Sequence, residues 1–384
     1  MKFHIQKTLL QDVLQTVNGA VPNRPSLQIL NNFALRLEGN FLEVSATDLD
    51  FAVRMNVEVE GERDGSVMVN ARRLLELVKS LADPSITTID FDVEDYNATI
   101  RWSERGKANL TGFDADDFPP IPEVEGETTL VIGASELAFL AEKTLFAVST
   151  DTTRLALNGA YFEVKKQPDS GISRISLVAT DGHRLGRAFV EQEGLQLEQD
   201  VGVIISKKIL QYVLKTVPAS GNIEVRLSQT HVLFSSENVQ IMAKLIEGPY
   251  PKYEAVIPIA FKRTVRCRTT ELLNKIRSVI SMSNQRTRQI RLLLEDTSLE
   301  LSSSDPEVGG SATEALAVSH EFQEGEGPSF GIGFNGAFLT EILTMCKSEE
   351  VVFKLNTPTG ASVMFPEGEG LNFSFLLMPL RLSD

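Results

Sequence analysis

Apolar residues follow two rhythms along this chain, and each predicts one kind of element. Alternation of apolar and polar positions marks strands in FALRLEGNFLEVSA (33–46), ITTIDFDVEDYNATIRW (86–102), NIEVRLSQTHVLFSS (222–236) and QIRLLLEDTSLELSS (289–303), because successive side chains of a strand point to opposite faces. Apolar residues three and four apart mark amphipathic helices instead. Leu137, Leu140, Ala141 and Thr144 form one such stripe, and Leu272, Leu273, Ile276 and Ile280 another. Ser135 and Thr270 precede these stripes and are the expected N-caps, since a hydroxyl can accept an orphan backbone N–H of the first turn.

The elements recur in a fixed order. A strand, a short break and a helix appear as MKFHIQKTLLQDVLQTV (1–17), LVIGASELAFLAEKTLFAV (130–148) and VRCRTTELLNKIRSVISM (265–282). A strand running directly into a second helix appears as VMVNARRLLELVKSL (67–81), VGVIISKKILQYVLKTV (201–217) and FGIGFNGAFLTEILTMC (330–346). An alternating strand that breaks at Thr-Asp or Ser-Asp appears as LEVSATDLD (42–50), ISLVATDGH (175–183) and LELSSSDPE (299–307). The period is roughly 128 residues, far longer than a solenoid repeat and the size of a domain. Pro-rich FDADDFPPIP (113–122) and IEGPYPKYEAVIP (246–258) punctuate the repeats and read as linkers, because proline holds the preceding residue extended. The expectation is therefore α+β: three similar domains, 1–125, 129–258 and 261–384, each with two helices packed on antiparallel sheets.

Composition narrows the function. The chain has 384 residues and a net charge of −15, which disfavours tight, purely electrostatic binding to nucleic acid. The six predicted helices are nevertheless net positive, through Arg72, Arg73 and Lys79 and through Lys207, Lys208 and Lys215. Arg24, Arg286, Arg288 and Arg291 add positive charge in loops. Two cysteines, Cys267 and Cys346, make no disulfide framework and suit a reducing compartment. The N-terminal stretch lacks a signal-peptide pattern and no apolar run approaches membrane-spanning length, so a cytoplasmic protein off the membrane is expected.

Motifs for catalysis are sparse. No phosphate loop and no nucleophile elbow occur, and the four histidines, His4, His183, His231 and His320, have no metal-ligand spacing. A literal G-x-G-x-x-G, Gly331 to Gly336, stands where the other repeats read VMVNAR and VIISKK, so it reads as local substitution at a repeated joint. No metal and no cofactor is expected. The one catalytic-looking stretch is VATDGHRLG (178–186), with Asp181, His183 and Arg184 close together. Its first half, Thr180-Asp181, repeats as Thr47-Asp48 and Ser304-Asp305. Its second half, Gly182-His183-Arg184-Leu185, does not repeat, which makes it the place for a site unique to the middle domain.

RPSLQILNNFAL, LNGAYFE, VATDGHRL, GPYPKYEAVIP, GFN and MPLRL, in this order along essentially the whole chain, resemble one family: the bacterial DNA polymerase III beta subunits, or sliding clamps. The resemblance implies a head-to-tail homodimer whose six domains close a ring around duplex DNA. It implies a non-catalytic processivity subunit of a DNA-directed DNA polymerase holoenzyme, with the alpha subunit, the clamp loader, other polymerases and repair proteins as partners. Those clients bind through a short peptide with an aliphatic–aromatic end, in a groove between the middle and last domains.

Carried over residue by residue, the client groove comprises Arg154, Leu157, Thr180, Gly182, His183, Arg184, Leu185, Pro251, Val256, Asn335, Phe338, Ser362, Met378, Pro379, Leu380, Arg381 and Leu382. Arg24, Arg72, Arg73, Lys207 and Lys208 are the implied transient DNA contacts. Ala108 and Leu110 of the first domain are expected to meet Ser281 and Met282 of the third across the dimer. Departures from the family pattern stand at Ala255, Thr287, Phe338 and Ala108, and the chain runs past MPLRL through Ser383 and Asp384. Two other functions fit the residues: an enzyme using Asp181 and His183, and a specialised clamp paralogue.

Overall fold

The computed structural model describes residues 1–384 except 125–127, 168, 169, 196, 198, 369–371, 383 and 384. The terminal Ser383 and Asp384 therefore lie outside the described residues. Six α-helices occur among the rest, two per repeat: α1 (Lys7–Val17), α2 (Ala71–Ser80), α3 (Ala134–Thr144), α4 (Lys207–Thr216), α5 (Thr269–Ile280) and α6 (Gly336–Met345). Each buries one stripe. In α1 it is Leu10, Val13, Leu14 and Val17; in α2 it is Ala71, Leu74, Leu75 and Val78. In α5 the buried residues are Thr269, Leu272, Ile276 and Val279, while the expected Leu273 and Ile280 are only half-buried.

Neither expected hydroxyl cap forms. α3 starts at Ala134 and α5 at Thr269, so Ser135 and Thr270 already lie inside the first turn, past the position whose side chain can reach the free N–H groups. At α3 the Glu136 carboxylate reaches back instead and accepts the Gly133 N–H at 2.9 Å, one half of a capping box. The side-chain caps are asparagines. Asn70 Oδ1 accepts from the Arg73 N–H at 3.0 Å, and Asn335 Oδ1 accepts from the N–H groups of Ala337 and Phe338.

All strand pairs among the described residues are antiparallel, and they assemble four sheets. Two sheets join neighbouring repeats. An eight-stranded sheet is continuous because Val239–Lys244 of the second repeat pairs with Phe51–Glu58 of the first, Met242 opposite Ala52. A nine-stranded sheet is continuous because Phe373–Leu377 of the third repeat pairs with Arg184–Glu193 of the second, Leu376 opposite Leu185. The chain consequently divides into two compact units that interleave along the sequence: Met1–Leu137 with Lys208–Leu245, and Ala138–Lys207 with Ile246–Asp384. Two smaller sheets remain. One ends on strand Lys107–Thr111, the other on Ser311–Ala317.

The Pro-rich linkers are packed straps. In the first unit Ile121 and Val124 cover Ala52, Met242 and Leu233. In the second, Tyr250, Tyr253 and Ile257 cover Val178, Leu185, Val363 and Leu376. Phe113, at the start of the first linker, still pairs with Met68 through two backbone bonds of 2.9 and 3.0 Å.

Candidate peptide-binding and DNA-facing surfaces

The Thr-Asp motif builds the same turn twice. Thr47 Oγ1 donates to the Phe51 carbonyl at 3.0 Å and accepts the Leu49 N–H; Asp48 Oδ1 accepts the N–H groups of Asp50 and Phe51. Thr180 Oγ1 donates to the Arg184 carbonyl at 2.7 Å and accepts the Gly182 N–H; Asp181 Oδ1 accepts those of His183 and Arg184. These short side chains bond the backbone two to four residues on, and so hold the chain in its turn. The third residue of the turn has a positive φ in both copies, +81° at Leu49 and +90° at Gly182. In the third repeat Asp305 Oδ1 accepts the Glu307 N–H, but the loop is longer: Ser304 pairs with Ser311, where Thr180 pairs with Leu185.

Asp181 is thus committed to its turn and to Arg184, whose Nε donates to Oδ2 at 3.1 Å. Arg184 is buried, 9% exposed. Its other nitrogens donate to Glu341 Oε2 at 2.7 Å and to the Phe146 carbonyl at 3.1 Å, and its guanidinium lies 4.3 Å from the Phe338 ring centre. His183 stays exposed and stacks on Phe338, ring centres 6.3 Å apart. The hydrogen bond that Asp181 shares with His183 runs to the His183 backbone N–H at 2.9 Å, and none among the described residues joins the carboxylate to the imidazole, as orienting a base would require.

The C-terminal segment lies beside this turn. The Met378 N–H donates to the His183 carbonyl at 2.8 Å, the Leu380 N–H to the Gly333 carbonyl at 2.8 Å, and Gln289 Nε2 to the Arg381 carbonyl at 3.1 Å. The second and third glycines of G-x-G-x-x-G now have a steric reason, whereas a Cβ on Gly331 would meet nothing closer than 3.9 Å. A Cβ on Gly333 would stand 2.8 Å from both the Leu380 carbonyl oxygen and Leu382 Cδ2, and one on Gly336 would stand 3.0–3.2 Å from Ile280 and Ile290.

The remaining groove candidates separate by exposure. Arg154, Gly182, Pro251, Val256, Met378 and Arg381 are exposed; Thr180, Asn335, Phe338, Pro379, Leu380 and Leu382 are half-buried; Leu157, Leu185 and Ser362 are buried. Leu185 belongs to the core under the second strap. Asn335 caps α6. The buried Ser362 hydroxyl has no hydrogen-bond partner among the described residues. Arg154 stands 3.7 Å from Asp151, whose carboxyl is held below its usual range first by the Thr153 hydroxyl. Phe146 and Glu341 escape sequence reading; only the Phe338–Glu341 spacing on one face of α6 hints at the second. Leu155, 65% exposed beside the buried Leu157, escapes it too.

Among the DNA-facing candidates, Arg24 and Arg73 are exposed without a carboxylate partner among the described residues, whereas Arg72 pairs with Glu76 at 2.8 Å and Lys208 with Asp48 at 3.6 Å. Lys207 opens α4 and is half-buried. At the expected dimer contact, Ala108 and Leu110 are alternate, half-buried residues of the edge strand Lys107–Thr111; Ser281 and Met282 follow α5 and are exposed. No group of three or more His, Cys, Asp or Glu among the described residues could hold a metal. Among the described residues no helix is long and apolar enough to cross a membrane.

Known proteins match along the whole chain. Residues 1–122, 131–252 and 254–381 match the N-terminal, central and C-terminal domain models of the DNA polymerase III beta subunit. The chain is 30% identical over 383 residues to the beta sliding clamp of Pseudomonas putida and 30% over 390 to that of Vibrio cholerae, each match covering 100% of both chains. It is similar to a solved Pseudomonas aeruginosa sliding clamp bound to griselimycin, with a TM-score of 0.90, 29% identity and full coverage of both chains. The Bacillus subtilis sliding clamp matches with a TM-score of 0.88 and 26% identity, again over both chains in full.

Proposed function

We infer the function from a firm premise: the chain belongs to the DNA polymerase III beta subunit family. It is a DNA sliding clamp that supports processive replication. It works as a head-to-tail homodimer, a ring around duplex DNA, in the cytoplasm and without catalysis of its own. Its three domains are 1–125, 129–258 and 261–384.

The observation that carries the ring is topological. Each joint between repeats is made by the last strand of one repeat pairing with the strand after the Ser/Thr-Asp turn of the repeat before it: Val239–Lys244 on Phe51–Glu58, and Phe373–Leu377 on Arg184–Glu193. The equivalent pair left over is Lys107–Thr111 of the first repeat and Ser311–Ala317 of the third. Each of them pairs with a described strand on one edge only. An open edge invites another strand, and joining these two between copies repeats the internal rule. Such a head-to-tail contact gives a ring when its rotation closes.

A ring holds DNA by topology, so its lining needs only weak phosphate contacts, each of which would otherwise add a salt-dependent term to binding. Arg24, Arg72, Arg73, Lys207 and Lys208 are proposed for that role, with Arg72 and Lys208 moderated by their carboxylate partners. Clients, including the polymerase alpha subunit, the clamp loader, other polymerases and repair proteins, are proposed to dock a short aliphatic–aromatic peptide against His183, Phe338, Leu155, Val256 and Met378. The test is loading onto nicked circular DNA. The complex should survive high salt and be lost when the circle is linearised; loss at the same rate from both forms would sink the ring.

A further inference from the structure

Beyond the client groove lies a second, polar one. A cavity of ≈ 830 Å³ opens on the third repeat, over the face of its sheet turned away from the buried Leu292, Leu299 and Leu301. Register places one row of side chains across it. Arg291 sits opposite Ser302, and Ser302 opposite Thr313; on the other flank Arg291 sits opposite Gly333, where no side chain intervenes. Arg286, from the loop after α5, and Ser304 also line it. Both arginines are exposed, and neither pairs with a carboxylate of a described residue. Glu307 is the one acidic residue in the lining among the described residues. The two guanidiniums, neither paired with a carboxylate of a described residue, stand among six hydroxyl side chains: Thr287, Ser302, Ser303, Ser304, Ser311 and Thr313.

This cavity adjoins the client groove across the C-terminal segment. Leu382 lines it, and Gln289, also in its wall, holds the Arg381 carbonyl. The C-terminal segment thus separates two surfaces, the His183–Met378 surface on one side and the arginine–hydroxyl surface on the other. We propose that this second groove receives the acidic flank of a client peptide, whose carboxylates pair with Arg286 and Arg291 while the aliphatic–aromatic end occupies the first. The proposal rests on the client-groove reading and adds a determinant to it: the charge of the residues beside the anchor. Guanidiniums suit carboxylates because their planar fork offers two parallel donors, and the hydroxyls of Ser302, Ser304 and Thr313 supply further donors.

The test uses the full chain and two synthetic peptides that share a Leu-Phe anchor, one with Gly-Ser flanks and one with Asp flanks. Binding is read by fluorescence anisotropy at low and high salt. The acidic peptide should bind about tenfold tighter at low salt, the sum expected of two modest exposed ion pairs, and the gap should close as salt rises. In the Arg286→Ala/Arg291→Ala variant the gap should vanish while the neutral peptide binds as before. Equal affinities in the unmodified chain, or a gap that survives in the variant, overturn the proposal. If the neutral peptide itself fails to bind, the client groove falls and this proposal with it. A single-stranded oligothymidylate that binds through the same arginines, with no difference between the peptides, makes the cavity a nucleic-acid surface and overturns the peptide assignment.

Discussion

Arg184 shows how far a residue's role can stand from its appearance in sequence. In TDGHRL it looks like a free cation beside a catalytic pair. In the fold it is buried, and it ties its own turn to α6 and to the end of the α3 region through Asp181, Glu341 and the Phe146 carbonyl. Removing the guanidinium leaves the Asp181 carboxylate and the Phe146 carbonyl without this donor. Arg184→Met should therefore lower the urea midpoint by the equivalent of about 2–4 kcal/mol and weaken peptide binding with it. Arg184→Lys should recover only part, because an ammonium cannot serve three divergent acceptors as the fork does. His4 makes a second prediction. Its ring is held by Asp90 at 2.6 Å and by Glu62, which also binds Lys2, and these bonds, Asp90 first, raise its pKa above the ordinary 6.5. A raised folded pKa gives stability that is complete below 6.5 and is lost as pH climbs through the folded value. The melting temperature should fall over that window, and His4→Gln should remove that part of the slope; an unchanged slope would deny His4 the role.

At the scale of elements, the caps and the C-terminal segment were unequally legible. Periodicity located all six helices because apolar burial is periodic in sequence. It could not place their first residues, since a cap depends on which backbone N–H a side chain reaches, and here asparagines before α2 and α6 do so rather than Ser135 or Thr270. Asn335→Ala should cost about 1 kcal/mol, read as a lower unfolding midpoint. The Thr-Asp turn was legible because it is local and repeated. The reason for Gly333 was not, because the atoms that forbid a side chain there belong to Leu380 and Leu382, far along the chain. Gly333→Ala should displace the C-terminal segment from the strand Phe330–Asn335 while leaving the core intact. Limited carboxypeptidase digestion should then shorten the variant faster than the parent chain, and peptide affinity should drop; identical digestion would mean the segment adapts around the added methyl.

At the scale of the molecule, the three repeats and their order are written in the sequence, while the sharing of sheets between repeats is not, because strand pairing across a joint is a contact between distant segments. The structure supplies that rule twice, and the proposed dimer asks for it once more, between copies. Leu110 lies on the free strand Lys107–Thr111 and is only partly covered within its own chain. Met282 is 48% exposed and stands near Gly310, just before the free strand Ser311–Ala317. An aspartate in a closed interface must be stripped of water without a partner, which costs several kcal/mol, but on an open edge it stays hydrated. Leu110→Asp and Met282→Asp should therefore both keep the parent's circular-dichroism spectrum and sediment as monomers at concentrations where the parent is a dimer. Because retention on circular DNA needs a closed ring, both variants should also slide off it as readily as off linear DNA. Two folded variants that still sediment as dimers would move the contact away from these edges and break the analogy with the joints inside the chain.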